Sequence, residues 1–239
     1  MPGCCHNQLP VPRIAPSAYT EKRACVQART VLGSPELESP SWKGASQTSC
    51  NEQCPTCAQL RAAALAIVAE DGLEALTGAR LCRQAGLPPE VLGAHYQTVQ
   101  SCLHDTYDHV ARSVYQEFAA AFAAEQGWED ALRLAAGTLL RRMAARPDEA
   151  RFCFIEVLRG DHELLRRRDA SRRRLIALLV QELGRECEQP QHFAMQLELL
   201  IGSSFQTIAA SIAHGEPAHL PALEPELESR AYVFAPAAA

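Results

Sequence analysis

From residue 60 to residue 110 the chain reads LRAAALAIVAEDGLEALTGARLCRQAGLPPEVLGAHYQTVQSCLHDTYDHV, the pattern of three short helices leading into a long fourth one. Leu60, Ala64, Ile67 and Val68 recur at i, i+4, i+7 and i+8 and make one apolar stripe. Gly72 stands where a left-handed residue ends such a helix, so the first helix closes near Asp71. Thr77 offers a side-chain oxygen to cap a second helix that turns Leu81, Cys82 and Ala85 inward, and Gly86 breaks it. A third helix starts within three residues. Two short helices around a tight glycine turn are the pattern of a helix-turn-helix, because glycine lets the chain reverse without a Cβ clash.

The run AEDGLEALTGARLCRQAGLPPEVLGAHYQTVQSCL resembles the N-terminal domain of the TetR family of bacterial transcriptional regulators. The matching positions are Gly72, Thr77, Ala85, Gly86, Leu87, Leu92, His95, Tyr96 and Leu103, and their order and spacing carry the likeness. The later run MQLELLIGSSFQTIAASIAHGEPAHLPALEPELESRAYVFAP is similar to the dimerisation helix and closing helix of one branch of that family. The resemblance spans roughly Cys57 to Pro236. It implies an all-α fold of about nine helices, with a helix-turn-helix domain at 56–105 and a helical effector-binding and dimerisation domain at 106–236. It also implies a homodimer, a palindromic double-stranded DNA operator, a small-molecule effector and a repressor in the cytoplasm.

Bulk properties agree with helices. Hydrophobic content of 47% with only 6% aromatic residues favours packing by Ala and Leu over sheets. A chain of 239 residues buries enough surface to fold without a disulfide framework. Neither a long apolar span nor a basic region followed by an apolar one is present, so a membrane segment and a signal peptide are not expected. The sequence holds no G-x-S-x-G, P-loop, H-E-x-x-H or strand-linked G-x-G-x-x-G, so it is not expected to be an enzyme, and no cofactor is implied.

Residues 1–55 differ from the rest, holding seven of the 15 prolines among Ser, Gly and Thr, and read as a disordered or loosely ordered arm. The arm carries Cys4, Cys5, His6 and the cluster Cys50, Cys54 and Cys57. A C-x2-C pair offers two thiolates to one edge of a tetrahedral ion, but no second pair stands at typical spacing, so no metal is assigned. A thiol- or metal-responsive sensor through Cys50, Cys54 and Cys57 stands as a weaker alternative. Cys82, Cys102, Cys153 and Cys187 sit singly within helical patterns and read as small core residues.

Further helices are expected from Val99 to about Glu125, around 132–143 up to the stop at Pro147, over 148–158, 161–183 and 190–214, and over about 222–234. The eighth and ninth are expected to form the dimer interface, with Leu200 and Ile208 in it. The six arginines at 166–168 and 172–174 fan around more than half a helix and read as a solvated face braced by Glu163–Arg167 and Asp169–Arg173 pairs.

The resemblance places DNA contacts at Thr77, Arg80, Arg83, Pro89, Glu90, Gly93, Ala94, His95, Tyr96 and Gln97. This chain has Gly93 where the family usually has Tyr and Val99 where it usually has Lys. Residues 58–110 contain three basic side chains against six acidic ones, a net charge of −3, which repels DNA. The rival reading follows from this: a TetR-fold ligand-binding or interaction module that has lost sequence-specific DNA binding. Ligand contacts are expected at Tyr115, Phe118, Phe122, Phe152 and Phe205, residues that core packing would equally employ.

Overall fold

The structure is a computed structural model, and it describes residues 53–125, 127–183 and 190–233. Nine α-helices lie among these residues: α1 (Pro55–Asp71), α2 (Gly78–Ala85), α3 (Pro89–His95), α4 (Val99–Ala123), α5 (Trp128–Ala145), α6 (Pro147–Phe154), α7 (His162–Leu183), α8 (Pro190–Ala213) and α9 (Glu224–Val233). Short 3-10 segments occupy Leu73–Ala75, Glu156–Arg159 and Pro217–Leu223, and no strand is formed among the described residues. No helix among them is long and apolar enough to cross a membrane. The arm expected over residues 1–55 lies outside the described residues except for its last three, as do Cys4, Cys5, His6, Cys25, Cys50 and Cys187.

Local chemistry sets the helix ends. Pro55 opens α1, and Gly72 ends it at positive φ with its N–H on the Val68 carbonyl. Thr98 caps α4 by accepting the Ser101 N–H at 3.0 Å. Pro147 stands at the first position of α6, where a missing N–H costs nothing. The sixth helix is shorter than the sequence suggests: it stops at Phe154, and Glu156–Arg159 tightens into a 3-10 turn. That turn carries Glu156 into the interior, where Arg151 (3.1 Å) and Arg159 (3.8 Å) meet its carboxylate. The last helix is also divided, since Pro221 lies in the 3-10 segment before α9.

Four apolar clusters hold the helices together. Cys57, Leu60, Ala64, Leu81, Tyr96 and Cys102 join α1, α2 and α4. Val68, Leu103, Tyr107, Phe152, Val157 and Leu164 join α1 and α4 to α6 and α7, with Tyr107 and Phe152 edge to face at 5.9 Å. The other two lie among α4 to α9. Helix α4 takes part in every cluster, either in its core or packed against it, and spans about 37 Å at 1.5 Å per residue.

Buried polar groups cross between elements. Asp105 Oδ2 accepts from Arg61 Nη1 at 3.0 Å and from the Tyr96 hydroxyl at 2.7 Å, so one carboxylate ties α1, the end of α3 and α4. Burial pushes the Tyr96 phenol well above its usual range, and the Asp105 carboxylate adds to this, so it remains a donor. Arg142 of α5 reaches Glu149 through Nε (3.0 Å) and Nη2 (2.7 Å), Ser113 at 3.0 Å, and Glu117.

The arginines of α7 are not one solvated face. Arg166 grips Glu163 with two bonds of 2.7 Å and holds that carboxyl down at about 2. Arg167 is nearly buried, pairs with Glu163 at 2.8 Å as the spacing suggested, and also reaches Asp108 of α4. Asp169 pairs with the adjacent Arg168. Arg168 and Arg172 line a small cleft facing α8, while Arg173 is exposed.

Replacing Asp105 by Ala leaves the Arg61 guanidinium buried without its carboxylate and should destabilise the fold by about 3–5 kcal/mol. Tyr96→Phe removes one bond and should cost about 1–2 kcal/mol. Urea unfolding curves of the two variants give the comparison, and equal losses would contradict the central role given to the carboxylate.

Candidate nucleic-acid interface and ligand pocket

The helix-turn-helix forms from short-range signals. Thr77 Oγ1 accepts the Arg80 N–H at 3.3 Å and starts α2, whose Leu81 and Cys82 are buried. Gly86 ends it at φ 68° and ψ 29°, and Leu87 N–H bonds back to the Cys82 carbonyl at 2.9 Å, a Schellman closure. Pro88 then precedes α3, which opens on Pro89. These two prolines remove backbone donors from the end of α3 where a phosphate would otherwise be met.

The outer side of α3 exposes Pro89, Glu90, Gly93 and Ala94, with Gln97 just beyond. Nothing lies within 4 Å of the place a Gly93 side chain would start. Thr77 and Arg83 are exposed on α2, and Arg80 is half-buried. Val99, at the start of α4, is half-buried against Gly78.

Two of the sequence-based contact residues face elsewhere. Tyr96 is buried, with its hydroxyl on Asp105, so it positions the end of α3 and does not reach a groove. His95 is half-buried and turns Nδ1 toward Cys57 Sγ (3.4 Å) and Cys54 Sγ (3.6 Å). No local signal marks this approach, because the partners lie 38 and 41 residues apart.

Electrostatically the segment is poorer in available positive charge than its composition implies. Arg61 is buried on Asp105, and Arg80 is paired with Asp71. Arg83 is the exposed cation of α1 to α3 that has no ion-pair partner among the described residues. Glu70, Glu74 and Glu90 are exposed.

A second site lies in the remaining helices. A pocket of about 810 Å³, its open mouth included, is walled by Phe118, Trp128, Leu132, Leu139, Leu175, Leu179, Leu200, Ile201, Phe205, Ile208 and Leu227. Its polar groups, Glu129, Arg133, Ser204, Glu224 and Glu228, are few against that apolar wall. Of the ligand contacts suggested by the sequence, Phe118 and Phe205 line this pocket. Phe122 is buried in the cluster behind it, stacked with Phe118 at 6.4 Å, and Tyr115 packs on the same cluster. Phe152 is fully buried in the junction of α1, α4, α6 and α7, away from the pocket. Trp128 also lines the pocket, as its position suggested, whereas the sequence alone did not mark Leu132 or Leu179 as facing the same space.

Leu200 and Ile208 also depart from expectation. They belong to the protomer's own core and line the pocket, and are not on an outer face. The exposed apolar side of α8 is carried by Met195 and Leu199, 53% and 60% accessible. The one-residue difference between Leu199 and Leu200 is about 100° around the helix.

Several solved structures with a similar arrangement of helices are bacterial regulators. The fatty acid degradation regulator FadR from Bacillus halodurans superposes with a TM-score of 0.67 over 75% of this chain and 95% of that one, at 14% identity. The fold is TetR-like. FadR from Bacillus subtilis, solved in complex with stearoyl-CoA, gives a TM-score of 0.61 at 13% identity, covering 72% of this chain and 95% of that one. A TetR family transcription regulator from Marinobacter aquaeolei gives 0.57 at 19% identity, covering 73% and 94%. No protein-family model matches the sequence, and no curated protein matches it. The shared TetR-like architecture therefore rests on helix lengths and packing, with few side chains in common.

The two glycines of this segment should respond oppositely to a methyl group. Gly86→Ala forces a left-handed conformation on a side chain and should lower stability by about 1–2 kcal/mol. Gly93→Ala lies within α3 in open space and should raise it by about 0.5–1 kcal/mol. Thermal unfolding of both variants checks the signs.

Proposed function

We propose that this chain is a TetR-like transcriptional regulator that acts as a homodimer on DNA in the cytoplasm and responds to a small molecule in the pocket of its larger domain. The division at 56–105 and 106–236 is part of this reading. The observation that carries it is mechanical: the helix-turn-helix and the pocket share one continuous helix, α4, and its Phe118 lines that pocket. A ligand that shifts α4 changes the separation of two paired heads and hence their fit to operator half-sites one helical turn apart. Repression relieved by the ligand is the sign we assign.

Direct contact is assigned to Thr77, Arg83, Pro89, Glu90, Gly93, Ala94 and Gln97, the exposed members of the candidate set. Such a surface holds few phosphates and reads bases with little more than Glu90 and Gln97. The ligand is assigned to an apolar class with a small polar end, from the pocket's lining; the stearoyl-CoA complex of Bacillus subtilis FadR supports a long acyl chain as the first compound to examine. The occupied cations of Arg61 and Arg80 favour a second reading, a TetR-fold ligand-binding module without sequence-specific DNA binding.

Selection of genomic fragments by the purified protein separates the two. The regulator reading expects a palindrome, bound with a log–log salt slope of only about −2 to −4, and released when an acyl chain is added. Gly93→Tyr with Glu90→Gln should tighten that binding. A folded dimer that enriches no sequence at low salt would establish the module reading instead.

The dimer is assigned to the outer side of α8, where Met195 and Leu199 are exposed and Gly202 has open space above it. Leu199→Asp should give a folded monomer by light scattering, whereas Leu200→Asp should unfold the protomer by placing a charge in its own core. A Leu199→Asp protein that remains dimeric would move the interface elsewhere.

A further inference from the structure

We propose that Cys54, Cys57 and His95 form a binding site for a borderline-soft divalent metal ion, zinc above all, that clips the start of α1 to the end of α3. Cys54 is the residue before the first turn of α1, Cys57 lies in that turn, and His95 is the last residue of α3. Their ligand atoms, the two Sγ atoms and an imidazole nitrogen, all lie within 4.8 Å of one another. Chain folding brings them together across 41 and 38 residues, so sequence neighbourhood does not explain the grouping.

The distances suit an ion. With zinc–sulfur bonds of about 2.3 Å and zinc–nitrogen bonds of about 2.05 Å, a tetrahedral angle separates the sulfur and nitrogen ligands by about 3.6 Å. The observed separations from His95 Nδ1 are 3.6 Å to Cys54 and 3.4 Å to Cys57. Each sulfur therefore stands at a tetrahedral-edge distance from the nitrogen, and the two sulfurs lie within 4.8 Å of each other.

The donor set selects the metal. Two thiolates and one imidazole, with no carboxylate among them, suit zinc and exclude magnesium or calcium as the resident ion. The positive end of the helix dipole at the start of the 17-residue α1 favours the negative charge the thiolates bring. Cys82 and Cys102 are buried but join no cluster of three ligand atoms among the described residues, and burial pushes the Cys102 thiol up to about 12, so it stays protonated. Three protein ligands leave a tetrahedral ion one position for solvent or a fourth donor.

This site stands on its own geometry and does not depend on the regulator reading. Full-length protein stripped with a chelator is titrated with zinc and, separately, with cobalt(II), whose thiolate-to-metal charge-transfer band reports sulfur ligation. One equivalent is expected to bind, with that band present. Cys54→Ser and His95→Gln, both at half-buried positions, are expected to weaken zinc binding by at least about 100-fold while circular dichroism is unchanged. Cys54→Ser should also reduce the charge-transfer band to about half. No stoichiometric binding, or cobalt bound without the thiolate band, would overturn the proposal whatever the variants do. Wild-type affinity in folded His95→Gln would overturn it as well, assigning the metal to other groups.

Discussion

One carboxylate oxygen, Oδ2 of Asp105, accepts both the buried guanidinium of Arg61 and the hydroxyl of Tyr96. A cation inside the protein is tolerable only beside such a partner, and Tyr96 brings the end of α3 to the same point. The orientation of α3 relative to α1 and α4 is thus set from within, by groups largely withdrawn from solvent. The arrangement has an electrostatic consequence. Arg61, one of the three basic side chains of residues 58–110, is turned inward here, and the outer surface is left to exposed glutamates and Arg83.

Helices α4 to α6 repeat the device with Arg142, which joins α5 to α6 through Glu149 and to α4 through Ser113 and Glu117. These polar joints lie outside the pocket lining, whose wall is mainly apolar with Glu129, Arg133, Ser204, Glu224 and Glu228 as its polar members. Helix α4 passes through both arrangements, with Asp105 near its start and Glu117 further along, so a displacement of its far end meets fixed points at each.

Helix boundaries were legible in the sequence wherever a local signal sets them: Gly72, Thr77, Gly86 and Pro147 act on their own neighbours, and the chain obeys them. The helix-turn-helix and the all-α architecture follow from such signals. Long-range choices were not legible. Nothing local tells His95 to face Cys54 and Cys57, or Arg167 to cross to Asp108. The burial of Leu200 in place of Leu199 depends on a rotation that alternating apolar residues leave open. Phe152 and Phe205 look alike as aromatics at helical spacing, yet one fills a junction of four helices and the other borders a pocket. The stop of α6 at Phe154 likewise depends on where Glu156 finds its arginines.

The six arginines of α7 are alike in chemistry but not in the freedom their positions have to vary over generations. Arg167 answers the carboxylate of Asp108, whose proton affinity burial raises and Arg167 lowers, so its replacement would strand a charge between two helices. Arg173, exposed one helical face away, has no such obligation. Drift among descendants of this chain would therefore erode the run unevenly, wearing away the outward residues first and leaving Arg167 as a lone basic position in a helix whose earlier charge would no longer be visible.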